Sequence, residues 1–224
     1  MSPKTVIVFG GIGTVVETSQ LQFEAFNAAF RSLGIDAAWA QADYRATLSS
    51  SGGGARLATV RTATGAALTA AEIAAVHAEK TRIFDAGIVA RGLTLRDGVA
   101  NILDLARERG LTLAWATTTL RDNVDAIFAA VGDALPRAAF AWSGDASRVE
   151  RQKPDPEAYR TVLRDLGVDA AAALAIEDSP IGVASARAAG LFTVAFPGAW
   201  HGDTDFSGAD RVVATLDEIA PLLA

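Results

Sequence analysis

Apolar residues fall along this chain in two kinds of run. Short unbroken runs read as strands buried on both faces, and runs spaced by three and four residues read as helices. The first run, Val6-Ile7-Val8-Phe9, predicts a buried strand leading into Gly10-Gly11-Ile12-Gly13-Thr14. A helical pattern then takes over, with Leu21, Phe23, Phe26, Phe30 and Leu33 on one side and Gly34 placed to end it. More helices follow with no convincing strand between them, so residues 18–91 are expected to be helical throughout. Thr69-Ala70-Ala71-Glu72 is a capping-box pattern that opens one of these helices. The stretch Ser49-Ser50-Ser51-Gly52-Gly53-Gly54 is expected to be a flexible loop.

After Gly92 strands and helices alternate. Helices are expected over residues 97–109, 121–131 and 156–166, with another opened by Ser179-Pro180 and closed by Gly190. Strands are expected over residues 111–117, 140–142, 173–177, 192–196 and 211–214, and a last helix near Leu223. Such alternation implies a parallel sheet covered on both faces. The expected architecture is a doubly wound α/β core, residues 1–17 and 92–224, with residues 18–91 inserted as a helical unit after the first strand. Sites in such sheets lie at the carboxyl ends of the strands. Attention therefore falls on the segments after Phe9, Ala116, Trp142 and Ile176.

Composition narrows the chemistry. Half of the 224 residues are hydrophobic and 21% are charged, enough apolar material for a folded core. A net charge of -6 argues against a nucleic-acid partner. There are no cysteines and two histidines, so thiolate chemistry, disulfides and a multi-histidine metal site are excluded. No membrane span is expected, because the apolar runs are short or broken by charges such as Glu72 and Glu177. The N-terminal run is too short for a signal-peptide core, so a cytoplasmic location is the default expectation.

Four segments gather at the expected strand ends: Gly10 to Thr14, Thr117-Thr118-Thr119, Lys153-Pro154-Asp155-Pro156 and Glu177-Asp178-Ser179. Hydroxyls, amides and a lysine suit phosphate oxygens, and carboxylates suit a hard cation. Each segment has an ordinary structural use too, as a turn, a helix start or an N-cap. Their order and spacing, with Glu17-Thr18, Ala25-Phe26-Asn27-Ala28-Ala29-Phe30, Ala175-Ile176, Gly182-Val183, Ala188-Ala189-Gly190 and Asp205-Phe206-Ser207-Gly208-Ala209, resemble the haloacid dehalogenase superfamily of phosphatases and phosphomutases. The resemblance covers nearly the whole chain. It lies with the capped branch that includes β-phosphoglucomutase and the CbbY-like sugar-bisphosphate phosphatases.

The resemblance implies a first motif Asp-x-Asp-Gly-Thr, whose first Asp attacks phosphorus and whose second is the acid and base. Gly13 and Thr14 match its end, which puts Gly10 at the nucleophile position and Ile12 at the acid/base position. Neither side chain can attack or carry a proton. Losing a nucleophile alone costs on the order of 10^6-fold in a comparable covalent enzyme. Glu17 lies too far along the chain to substitute, so no carboxylate is expected where the attack must start. The implied Mg2+ site keeps only the Ile12 carbonyl, Asp178 and Glu177, and is expected to be weak. Lys153 is then free to pair with either carboxylate.

Phosphate binding through Gly13, Thr14, Thr117, Thr118 and Lys153 is expected to survive, with Arg56 as a ligand-binding residue in the cap. Lys80, with His77 and Arg82 on the same helix, is expected to be exposed helix charge, and His201 an ordinary loop residue. The expected function is that of an inactive relative that holds a phosphorylated small molecule or interacts with another protein. The alternative is a slow Mg2+-dependent sugar-phosphate phosphatase in which water attacks directly.

Overall fold

A computed structural model of the chain describes residues 4–49, 53–201 and 204–223. The chain divides into two compact units, Met1–Glu17 with Leu93–Ala224, and Thr18–Gly92.

The larger unit is built on a six-stranded sheet. Its strands are β1 (Val6–Phe9), β2 (Thr112–Ala116), β3 (Phe140–Gly144), β4 (Ala173–Glu177), β5 (Phe192–Ala195) and β6 (Arg211–Val212). They run in the order β3-β2-β1-β4-β5-β6 and every pairing is parallel. This bears out the doubly wound α/β expectation. The strand order reverses between β1 and β4, which makes their carboxyl ends the place for a site. Every residue of both central strands is buried, as their unbroken apolar runs require.

Helices α1 (Ile12–Val15), α6 (Val99–Arg109), α7 (Arg121–Val131), α8 (Glu157–Leu166) and α9 (Pro180–Ala188) belong to this unit. One sheet face, with Val6, Val8, Ala114, Ala173 and Ala175, packs on Tyr159 and Val162 of α8 and on Ala186 of α9. The alanines let these helices come close. On the other face Phe128 of α7 stands edge-on to Trp115 of β2, with ring centroids 4.9 Å apart. Ser179 caps α9 as expected, accepting from the Gly182 N–H at 3.3 Å. The last segment, Leu216–Leu222, is a 3-10 turn and not the expected α-helix. Pro221 lies inside it, and a proline removes the N–H that an α-helix needs.

The smaller unit contains α2 (Ser19–Ser32), α3 (Gln41–Ala46), α4 (Gly53–Leu57) and α5 (Ala70–Arg91). It is not helical throughout. The Asn27 side chain accepts from the Trp39 N–H at 2.8 Å and donates to the Trp39 carbonyl at 3.1 Å, holding a non-helical return strap after α2. Residues 61 and 67 form an antiparallel bridge. Gly53 and Gly54 begin a helix where a loop was expected, and Ser50 to Gly52 lie outside the described residues. Phe26 and Phe30 are buried, but Leu33 is 42% exposed, because it caps α2 beyond the end of its buried stripe. Thr69 and Glu72 form the capping box, the Thr69 oxygen accepting at 3.2 Å and Glu72 accepting from the Thr69 N–H at 2.7 Å. Among the described residues no helix is long and apolar enough to cross a membrane.

Ser179 holds the start of α9, so Ser179→Ala should cost about 1 kcal/mol. Thermal unfolding followed by circular dichroism should show a Tm lower by about 2–4 °C.

Candidate active site

Pleat and register bring the site together. Side chains two apart along a strand share a face. Val6 and Val8 of β1 share a face with Ala173 and Ala175 of β4, and Phe9 pairs with Ile176. One step further, Gly10 and Glu177 become neighbours on that same face, under Tyr159 of α8. The Gly10 N–H donates to the Ile176 carbonyl at 2.9 Å and holds this alignment.

The space beside Gly10 is full. A Cβ built on Gly10 would overlap Glu177 Oε1 and the Tyr159 hydroxyl. A Cβ on Gly182 would overlap Glu177 Oε2. The carboxylate is thus wedged between two glycines. Lys153, whose peptide bond to Pro154 is cis, reaches it from the segment before α8. Its Nζ donates to Glu177 Oε1 at 2.6 Å, to the Gly10 carbonyl at 2.9 Å and to the Tyr159 hydroxyl at 3.4 Å. Tyr159 donates to the same Glu177 oxygen. Lys153 is 7% exposed and Glu177 1%. Burial pushes the Glu177 carboxyl up, and the Lys153 ammonium opposes it. Burial, then the neighbouring Glu177 charge, pushes the Tyr159 hydroxyl well above its usual range, so it stays a donor.

An acidic side chain therefore does stand beside position 10, where none was expected. Attack on phosphorus needs a carboxylate lone pair in line with the phosphorus atom. Oε1 already accepts from both Lys153 and Tyr159, and Oε2 is packed against the first turn of α9.

Asp178 lies against the backbone of Gly11 and Gly13, as Cβ atoms built there would crowd its carboxylate. Burial pushes its carboxyl up, and Arg96 and then Lys153 oppose it. Thr14 is buried and donates to the Gly11 carbonyl. Thr117 follows β2 and accepts from the Thr119 N–H at 3.1 Å. Strand β3 runs on to Gly144 rather than ending at Trp142.

Sequence reasoning passed over Tyr159 and Arg96. The Arg96 guanidinium donates to the carbonyls of Gly13 at 2.6 Å, Phe196 at 3.0 Å and Pro197 at 2.6 Å, and lies 3.5 Å over the Phe196 ring. It clamps α1 to the loop after β5. A lone arginine beside the glycine that starts α6 was the available signal. Glu17 turns the same way and accepts from the Ala199 N–H at 3.1 Å. With Arg96, Asp97 and Phe196 it lines a cleft of about 280 Å³.

A resident Mg2+ does not fit these donors. The ion wants six oxygens in near-octahedral array and gives up water reluctantly. Glu177 Oε1 already accepts from Lys153 and Tyr159, Oε2 is packed against Gly182, and one lone pair of the Ile12 carbonyl accepts from the Val16 N–H at 3.0 Å, which leaves Asp178 as the main donor. Among the described residues no three acidic or histidine side chains gather as a metal site.

In the smaller unit Lys80 is not exposed helix charge. It is 6% exposed and belongs to the buried stripe Val76, Lys80, Phe84, Ile88, one residue per turn of α5. Its Nζ lies 4.5 Å over the Phe84 ring and 5.2 Å over the Phe26 ring, and donates to Gln22 at 3.4 Å. Burial, with Arg56 nearby, lowers its pKa to about 8. The same causes, burial and the Lys80 charge, lower the pKa of His77. Arg56 donates to the Tyr44 hydroxyl at 3.4 Å. His201 meets Phe206 edge-on.

Residues 5–190 match the haloacid dehalogenase-like hydrolase family. The CbbY protein of Rhodobacter capsulatus is 39% identical over 96% of this chain and 94% of its own length. The chain belongs to the haloacid dehalogenase-like hydrolase family. It falls in the family's CbbY-like branch. The crystal structure of an aspartate-to-asparagine mutant of Rhodobacter sphaeroides CbbY with xylulose-(1,5)bisphosphate is 34% identical, covers 99% of this chain and 100% of that one, and has a TM-score of 0.86. CbbY from the same organism with phosphate gives 35% identity, 96% coverage of each chain and a TM-score of 0.85. Family members of this kind generally use Mg2+, which sharpens the contrast with the donors found here.

Two substitutions test this account. Lys153→Ala leaves a buried carboxylate without its partner and should cost about 3–5 kcal/mol in denaturant unfolding. Lys80→Met should do the opposite. The buried ammonium is a burden at every pH below its folded value of about 8, and the burden fades as pH rises from there to its ordinary 10.5. The variant's Tm should exceed that of the wild type at pH 7, and the gain should vanish above pH 10.5.

Proposed function

We propose that this chain holds a phosphorylated small molecule without turning it over. The observation that carries this reading is the filled space at position 10. No side chain grows from Gly10, and the carboxylate that stands there instead is held by Lys153, Tyr159 and Gly182. Ile12 offers no proton for a leaving group. Neither half of the family's covalent mechanism has a residue to perform it.

The ligand class is a sugar phosphate. Support comes from one relative, Rhodobacter sphaeroides CbbY, whose mutant is described with xylulose-(1,5)bisphosphate and which is also described with phosphate. In the larger unit a phosphoryl group would meet the amides from Gly13 to Thr14 and the hydroxyls of Thr117 and Thr118. Lys153 joins them only by giving up part of its present set of acceptors. In the smaller unit Arg56 is the proposed anion contact. Lys80 and His77 belong to the same neighbourhood: burial first, and then the Arg56 charge on Lys80 and the Lys80 charge on His77, lower their pKa values. An anion there would relieve that repulsion. The absence of an aspartate at position 10 also removes like charge facing a phosphate. A cytoplasmic setting fits such a ligand.

The test is binding and turnover measured on one preparation. Isothermal titration with xylulose-(1,5)bisphosphate should give saturable binding, weakened at least about tenfold by Arg56→Ala, a loss of roughly 1.4 kcal/mol. Phosphate release with Mg2+ should not exceed that of Lys153→Ala. Release that survives purification and disappears in Asp178→Ala would replace this reading with slow hydrolysis by water.

A further inference from the structure

We infer that this site has exchanged a divalent cation for the protein's own cations: Lys153 and Arg96 supply the positive charge that Glu177 and Asp178 need, and the site takes no Mg2+. The inference rests on the reading of position 10 above. It goes beyond that reading, because an inactive site can still bind metal.

The argument is one of charge and space. Two carboxylates meet at the ends of β1 and β4. The Lys153 ammonium contacts Glu177 directly, and spends its other protons on Gly10 and Tyr159. Arg96 sits on the Gly13 carbonyl, next to the backbone against which Asp178 lies. Lys153 answers Glu177, and Arg96 answers Asp178 together with Glu17 and Asp97. A hydrated dication reaching Glu177 would have to displace Lys153 from a buried contact. The space is also closed, because Glu177 and Tyr159 occupy what a side chain on residue 10 would fill.

Position 10 is then a switch. An aspartate there must push aside the ends of two side chains, the Glu177 carboxylate and the Tyr159 hydroxyl. Side-chain ends can swing away, so the change is tolerable in volume. In charge it is not, because one more carboxylate would share the same two cations. A divalent ion becomes the missing countercharge.

Wild type, Gly10→Asp and Gly10→Asn are compared by thermal unfolding with and without Mg2+, and by Mn2+ electron paramagnetic resonance. Asparagine matches the volume of aspartate and lacks its charge. The wild type and Gly10→Asn should show no Mg2+ shift and no bound Mn2+. Gly10→Asp should gain on the order of 4 °C in Tm once the ion is tenfold above its dissociation constant. Mn2+ bound by the wild type, or an equal response from the two variants, overturns the inference. Should Gly10→Asp fail to fold, Lys153→Ala decides: Mg2+ should restore part of its lost Tm, and no restoration overturns the inference. Bisphosphate binding by the wild type is scored apart. Its failure sinks the ligand reading and leaves this one standing, whereas Mn2+ binding sinks this one alone.

Discussion

The buried ion pair between Lys153 and Glu177 is the constraint on which the rest of the site depends. Two charges taken out of water must find each other and fill their remaining hydrogen bonds, or the fold loses several kcal/mol. Here they do both. The ammonium has the Glu177 carboxylate, the Gly10 carbonyl and the Tyr159 hydroxyl, and the carboxylate has Lys153 and Tyr159. Three features of the fold make that closure feasible. Parallel register sets Gly10 beside Glu177, alanines on the strands let α8 bring Tyr159 down, and glycines at 10 and 182 leave the carboxylate its room.

A carboxylate at position 10 would break this balance, which is why its absence matters beyond catalysis. A relative of the same fold is described with phosphate and with a sugar bisphosphate, and the sheet order, the Lys-Pro segment and the acidic pair are all present here. Fold does not carry function by itself. What differs is where charge can stand. With no acidic side chain at position 10, Glu177 pairs with Lys153 in the space beside it.

The smaller unit shows the reverse arrangement. Lys80 takes a position in the apolar stripe of α5 where a leucine or methionine would pack without cost, and burial first and then the Arg56 charge weigh on its ammonium. Buried charge without a direct carboxylate contact is a stability burden. Such burdens are common where a protein keeps a place for a ligand. The opposite signs expected for Lys153→Ala and Lys80→Met express this contrast between a buried charge in contact with a carboxylate and one without that contact.

Much of this was legible in the chain itself. Unbroken apolar runs named the central strands, Ser179-Pro180 and Thr69 with Glu72 named helix starts, and glycine and isoleucine at positions 10 and 12 put no acidic side chain at either place. These are local facts, carried by periodicity, capping chemistry and residue identity. Other facts depended on what lies opposite. Whether Lys80 faced water could be settled only by the partner helix, although its spacing with Val76 and Phe84 hinted at burial. That Glu177 fills the space beside Gly10 required the register of two strands distant in sequence, and the clamp from Arg96 to Gly13 and Phe196 required α1 and the loop after β5 to meet. Residue type decided which groups each position could offer; only packing across strands and helices decided what stands beside them, because a side chain's neighbours are set by the fold and not by the order of the chain.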